Sequence, residues 1–200
     1  FEFSMAFKVL TKPAVIVAAL ALFCYLSLET SMATWIRLLM EEIYSTSISQ
    51  PLATGVVLSL FGAAMMAGRF LVSAIKGLTD LGPKLLILVS GLSLLSIVLM
   101  MVASGPYLAI LAVILAGLAF APIFPTIVGV TFSKFEPRLY GSIFGIIFSI
   151  GLLGGTFIPN IIGNITVDST VQQGLLAAVV MAAILLLLTT IIGRVGKSKG

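Results

Sequence analysis

Apolar residues in this chain gather into long blocks separated by short polar connections. A helix needs ~20 residues to cross the ~30 Å hydrocarbon layer of a bilayer, so each block predicts one transmembrane helix. The first runs from Pro13 to Leu39, opened by a proline whose missing N–H would be unpaired at a helix start anyway. A polar connection from Glu41 to Gln50 follows, and the second block spans Leu52 to Ile75. Lys76 to Lys84 reads as a short loop, Leu85 to Ala103 as the third span, and Ser104, Gly105 and Pro106 as a tight turn. The fourth block, Tyr107 to Phe132, contains Pro122 and Pro125, which membrane helices tolerate because neighbouring groups satisfy the freed carbonyls. Lys134, Glu136, Pro137 and Arg138 lead into a glycine-rich fifth block, Leu139 to Ile162. After a polar stretch with Asp168, Gln172 and Gln173, the sixth runs from Leu175 to Ile192.

Six helices sort the charges cleanly. Lys8 and Lys12, Lys76 and Lys84, Lys134 and Arg138, and Arg194, Lys197 and Lys199 all fall on one side, while the opposite connections hold Glu41, Glu42 and Asp168 without a lysine or arginine. Under the positive-inside rule both termini are then cytoplasmic, in a cell (inner or plasma) membrane. The expected organisation is the end of a cytoplasmic linker over 1–12, a transmembrane bundle over 13–194 and a cytoplasmic tail over 195–200.

Composition agrees. Hydrophobic residues make up 60% of the chain and charged residues 9%, with a mean hydropathy of +1.26; a soluble domain carries roughly a quarter charged residues. The protein therefore reads as all-α and integral to the bilayer. The net charge of +4 comes from basic residues between apolar blocks, which are topology signals and not a nucleic-acid stripe. Histidine is absent and Cys24 is the lone cysteine, so neither a disulfide framework nor a Cys/His metal cluster is expected. Cys24 reads as a small buried thiol. The opening residues lack the apolar core and cleavage site of a signal peptide. The chain starts on Phe1, so a fragment with an upstream part missing is expected.

A few polar residues stand inside the apolar blocks. Glu29 lies ~6 Å beyond the midpoint of the first, at a depth where an acid costs at least ~2.5 kcal/mol and faces a protein interior or a water-filled path. It reads as a structural acid between helices, a proton carrier or a substrate-binding carboxyl. Thr30, Thr34 and Arg37 share a narrow arc that Glu29 borders, and such a face could line a cavity. Arg37 is better placed to snorkel and pair with Glu41 one turn on. Tyr25 and Trp35 are belt or core aromatics, or stacking surfaces for a sugar ring.

Gly68-Arg69-Phe70 puts a cation in the inner part of the second helix, with Asp80 an attractive partner for a structural or gating ion pair. Gly141, Gly145 and Ser149, then Gly151 and Gly155, recur every fourth residue, a spacing that lets helix backbones approach. Thr156, Asn160 and Asn164 share a face of the same helix, and Asn160 follows Pro159, where an irregular backbone could present its amide to a hydroxylated ligand. Enzyme chemistry finds no support: there is no histidine, no HExxH helix and no phosphate-cradling glycine loop, and Asp80 and Asp168 fall on opposite sides. No cofactor or metal is expected.

These residues carry a resemblance. The segment from Phe23 to Trp35, with Tyr25, Glu29 and Thr30, is similar to the fucose permease type of sugar:proton symporter within the major facilitator superfamily. So are Gly68-Arg69-Phe70, the Pro122-Ile-Phe-Pro125-Thr126 segment, and Tyr140-Gly-Ser142 leading into a glycine-rich helix with Pro159. The Lys76-to-Lys84 loop resembles the superfamily's cytoplasmic Gly-Asp-Gly-basic loop, although Leu81 stands where the arginine would be. The resemblance implies one six-helix half of a major facilitator fold, a 3+3 inverted repeat, with substrate held against a missing N-terminal six-helix half and moved by alternating access. It also implies that the main proton-coupling carboxyls belong to that other half, which turns Glu29 toward substrate contact. The expected function is secondary active transport of a sugar or similar small polar solute, coupled to H+. The substrate-binding candidates are Glu29, Tyr25, Trp35, Thr30 and Asn160. The gating or structural candidates are Arg69, Asp80, Gly68, Pro122, Pro125 and Gly145. Efflux of drugs or metabolites, with Glu29 receiving a cationic substrate, is the other transport reading; a non-transporting membrane assembly module is the reading from a different class.

Overall fold

The computed structural model of the protein describes residues 9–73 and 78–195, the side chains of 78–80 excepted. Among the described residues it is entirely helical: α1 Pro13–Ser45, α2 Thr54–Ser73, α3 Leu78–Val102, α4 Pro106–Phe120, α5 Ile123–Phe132, α6 Tyr140–Val167, α7 Val171–Gly174 and α8 Leu176–Ile192, with a 3-10 turn Pro137–Leu139 before α6. α4 with α5, and α7 with α8, each form one continuous span, so six helical spans are long and apolar enough to cross a membrane. The fold is thus a six-helix bundle of the kind the hydropathy blocks predict.

Several boundaries differ from the sequence expectation, α6 for instance running on past Ile162 to Val167, and three have a clear local reason. α1 does not end at Leu39 but runs on to Ser45. No glycine or proline interrupts that stretch, Arg37 and Glu41 form an i,i+4 ion pair at 3.0 Å, and Met40, Ile43 and Tyr44 are buried. The Lys76–Lys84 loop is largely helix, because α3 already begins at Leu78 and carries Pro83 inside it. The proline ring nests against Gly193 just beyond α8, where a Cβ would lie 2.7 Å from it. The fourth span breaks at Ala121 and Pro122, where the missing N–H of Pro122 leaves the Leu118 carbonyl without its helical partner. Gly68 of α2 packs onto that break; a Cβ there would stand 2.6 Å from the Ala121 methyl and 3.2 Å from the Leu118 oxygen. α6, in contrast, passes through Pro159 without interruption.

α1 is the centre of the bundle, packing against α2, α4, α5, α6, α7 and α8. Lipid tails are as apolar as leucine, so close backbone approach and van der Waals contact hold membrane helices together. The α1–α6 contact illustrates this. Gly154 lies so near α1 that a Cβ would sit 2.2 Å from the Phe23 carbonyl oxygen and 2.6 Å from Ser27 Oγ, and Gly151 and Gly155 press on Leu22, Leu26 and Thr30. The expected glycine stripe is only half used: a Cβ at Gly141 or Gly145 would meet nothing within 4 Å, so among the described residues no helix presses on Gly145.

Two polar clasps secure the ends. Glu42, at the end of α1, accepts hydrogen bonds from the backbone N–H of Val171 (2.6 Å) and Gln172 (3.4 Å) at the start of α7. Gln172 in turn donates its side-chain amide to the Met100 and Ala103 carbonyls at 3.2 and 2.7 Å, capping α3. At the opposite end of the last span, Lys134 donates to the carbonyls of Ile192 and, at 2.6 Å, Val195. An acid thus stands at the N-terminus and a base at the C-terminus of the α7–α8 span, the polarity its dipole favours.

Candidate functional site: an ion pair in a membrane cavity

Glu29 and Arg69 come together. They sit on consecutive antiparallel membrane helices, α1 and α2, with one guanidinium nitrogen 3.4 Å from Glu29 Oε1. The glutamate side chain is 27% exposed and the arginine 51%, so both are open to a cavity of about 680 Å³. α1 contributes Leu26, Glu29, Thr30 and Ala33 to its wall; α2 contributes Arg69, Val72 and Ser73; α5 and α6 add Phe124, Pro125 and Phe148. Among the described residues of that lining, Glu29 and Arg69 are the only ionisable groups. Thr30 donates its hydroxyl proton to the Leu26 carbonyl at 2.6 Å, and Ser73 donates to Phe70 at 2.7 Å, so each offers the cavity lone pairs alone.

Other sequence candidates lie elsewhere. Tyr25 is fully buried, its ring packed against Phe120 and Phe124 at centroid distances of 6.4 and 6.3 Å. It cannot be a ligand wall in this conformation. Its hydroxyl nonetheless lies directly behind the pair, within reach of both Glu29 and Arg69 but without a well-formed hydrogen bond to either. Trp35 donates its indole N–H to the Pro159 carbonyl at 3.2 Å and presses its ring edge on Gly163, making it a strut between α1 and α6 instead of a stacking platform. Asn160 folds its amide back on the Thr156 carbonyl at 2.6 Å on an exposed face of α6 and does not line the cavity. In this conformation none of Tyr25, Trp35 and Asn160 lines the cavity. Arg37 pairs with Glu41 near the end of α1, as its spacing predicts. The Asp80 side chain, the expected partner of Arg69, lies outside the described residues.

Sequence reasoning missed the aromatic wall. Phe144 and Phe148 stack at 5.3 Å, and Phe124 meets both edge-on at 6.4 and 6.2 Å. The i,i+4 pair of phenylalanines in a helix otherwise rich in glycine was the available signal. The Glu29–Arg69 contact also had one: an acid and a base inside consecutive membrane helices face a medium in which each demands a partner. Among the described residues no group of three or more metal-ligating side chains occurs.

A polytopic helical bundle with an ion pair facing a solute-sized cavity has the features of a membrane transporter. The family model of the Major Facilitator Superfamily matches residues 2–159, and the chain belongs to that superfamily. The match covers α1 to α5 and most of α6, including every residue of the cavity wall. No curated protein and no solved structure matches the chain. The protein is a membrane transporter of this superfamily and has the six-helix architecture of one of its halves.

Proposed function

We propose that the protein is a secondary active transporter that moves a sugar or similar small polar solute through the Glu29 cavity by alternating access, with H+ as the coupling ion. The observation that carries this reading is the Glu29–Arg69 pair, two ions held at 3.4 Å in a membrane cavity of about 680 Å³. Ions at such a depth mark solute or proton paths, and the volume falls within the range of small-molecule sites, about 300–1,000 Å³. Glu29 and Thr30 face the solute, Arg69 pairs with Glu29, and a second six-helix half supplies the opposite wall. The break at Pro122, with Gly68 seated on it and Pro125 in the wall, is the hinge about which α5 tilts. Efflux of a cationic substrate fits less well, because the carboxylate that would receive the cation already has Arg69 beside it.

The full-length protein reconstituted in liposomes with an internal pH dye tests the proposal. Sugars and polyols added under an inward proton gradient are expected to accumulate with internal acidification. Folded protein that moves neither solute nor protons would end the transport reading. The proposed topology, with both termini cytoplasmic, predicts that cysteines introduced at Ser47 and Ser198 react with impermeant maleimide from opposite sides, while Cys24 is buried and stays silent. Labelling of both from one side would overturn it.

A further inference from the structure

We infer that the transported solute carries a carboxylate and that Arg69 is its receptor, with Glu29 as the group the carboxylate displaces. This rests on the transport reading above and narrows its solute to a small organic acid, such as a sugar acid or hydroxy acid. The argument is a count of hydrogen-bonding capacity. A guanidinium offers five N–H donors. Arg69 uses few of them: its contacts are Glu29 Oε1 at 3.4 Å and the Met65 sulfur at 3.8 Å. Both involve a single terminal nitrogen, and the first is longer than the ~2.7–2.9 Å of a well-formed charge-assisted bond. The arginine is held loosely and one-sidedly, with the rest of its fork turned to the half-open cavity.

Among the described residues of the wall no second negative charge competes for that fork: Leu26, Val72, Phe124 and Phe148 are apolar, and Thr30 and Ser73 offer only the lone pairs of neutral hydroxyls. Behind the pair stands a second donor, the fully buried Tyr25 hydroxyl, which lies within reach of the same Glu29 carboxylate without a well-formed bond to it. The site has a surplus of donors around one carboxylate. A neutral polyol brings donors and acceptors together and leaves this surplus unchanged, whereas a carboxylate is all acceptor and matches the guanidinium fork in a bidentate pair.

The exchange also balances charge. With Glu29 ionised and Arg69 cationic the pair is neutral. An incoming carboxylate takes Arg69, adds one negative charge and leaves Glu29 in an apolar wall without its counter-ion; one proton on Glu29 restores neutrality. Among the described residues its ionisable neighbours are Arg69 on α2 and Tyr25 on α1, since α5 and α6 present Phe124, Pro125 and Phe148. The Tyr25 hydroxyl, already within reach, is then free to donate to Glu29. Each carboxylate therefore crosses with one proton, and the loaded site carries no net charge.

Two matched probe pairs test this on the reconstituted full-length protein: D-glucuronate against D-glucose, and lactate against propane-1,2-diol. In each, a carboxylate replaces a hydroxymethyl group and the rest of the molecule is kept. At least one acid is expected to bind about tenfold or more tighter than its neutral twin, as an added charge-assisted pair implies. Arg69→Gln should erase that preference and Arg69→Lys should keep part of it. Glu29→Gln should bind the acid at least as tightly as the parent, because the internal competitor is gone; a merely structural ion pair would make both neutral variants fail alike. Equal or better binding of the neutral twins, a preference that survives Arg69→Gln, or no binding of either acid would overturn the inference. Proton-coupled uptake of a neutral twin would overturn it and leave the broader transport reading standing, whereas folded protein that moves no solute and no protons would end both.

Discussion

Glu29→Gln is expected to separate solute exchange from proton-driven accumulation. In proteoliposomes the variant should still exchange internal for external solute, yet accumulation under a proton gradient should collapse to passive equilibration, with no internal acidification. The glutamine keeps the shape and the hydrogen-bonding oxygen beside Arg69, so the fold is little disturbed: a pair this exposed and this long contributes less than about 1 kcal/mol. What is lost is the carboxyl to which the proposed mechanism assigns the proton, the one acid among the described residues of the cavity wall. Retained proton influx with Glu29→Gln would assign coupling to another group. Loss of exchange together with influx, in protein of unchanged thermal stability, would make Glu29 a solute contact alone.

The largest expected effect on stability is at Gly154. A Cβ there would stand 2.2 Å from the Phe23 carbonyl oxygen, and backbone cannot swing aside as the tip of a side chain can. Gly154→Ala must push α6 off α1, the helix around which the bundle is built, and is expected to destabilise by more than about 3 kcal/mol, at or beyond the usual range for overpacking. Gly117→Ala, where a Cβ would meet the Phe61 carbonyl oxygen at 2.6 Å, should behave similarly at the α2–α4 crossing. Gly91→Ala is the control. Nothing lies within 4 Å of that position, and the change should stay within about 0.5 kcal/mol. Thermal unfolding in detergent, followed by the monodisperse fraction after heating, ranks the three; Gly154→Ala as stable as Gly91→Ala would contradict the packing described.

The contrast between these glycines shows where sequence reading stops. The interval of four residues within the pair Gly141 and Gly145 and within the pair Gly151 and Gly155 is a property of one helix, and it does not say which face a neighbour covers. Gly154, off that interval, makes the closest approach among the described glycines. Hydropathy blocks were readable because crossing a bilayer is a demand each segment meets alone. The extension of α1 to Ser45 was hidden because polar residues after Leu39 resemble a connection until their packing is known. The site was half readable for the same reason. An ion at depth in the membrane identifies itself, so Glu29 and Arg69 stood out. Their pairing, and the assignment of Trp35 to the Pro159 carbonyl and Asn160 to the Thr156 carbonyl, are set by how helices far apart in sequence meet or by a local backbone bond. An aromatic or an amide in a membrane helix has many possible partners, and composition does not choose among them.

The clasps on the α7–α8 span bear on how the bundle answers to damage. Glu42 takes backbone N–H partners at Val171 and Gln172, 129 and 130 residues later, and Lys134 donates to the carbonyls of Ile192 and Val195, 58 and 61 residues later. One charged side chain thus grips each end of a span that supplies none of the described cavity wall. Loss of either clasp loosens that span against the bundle and leaves the composition of the cavity as it was.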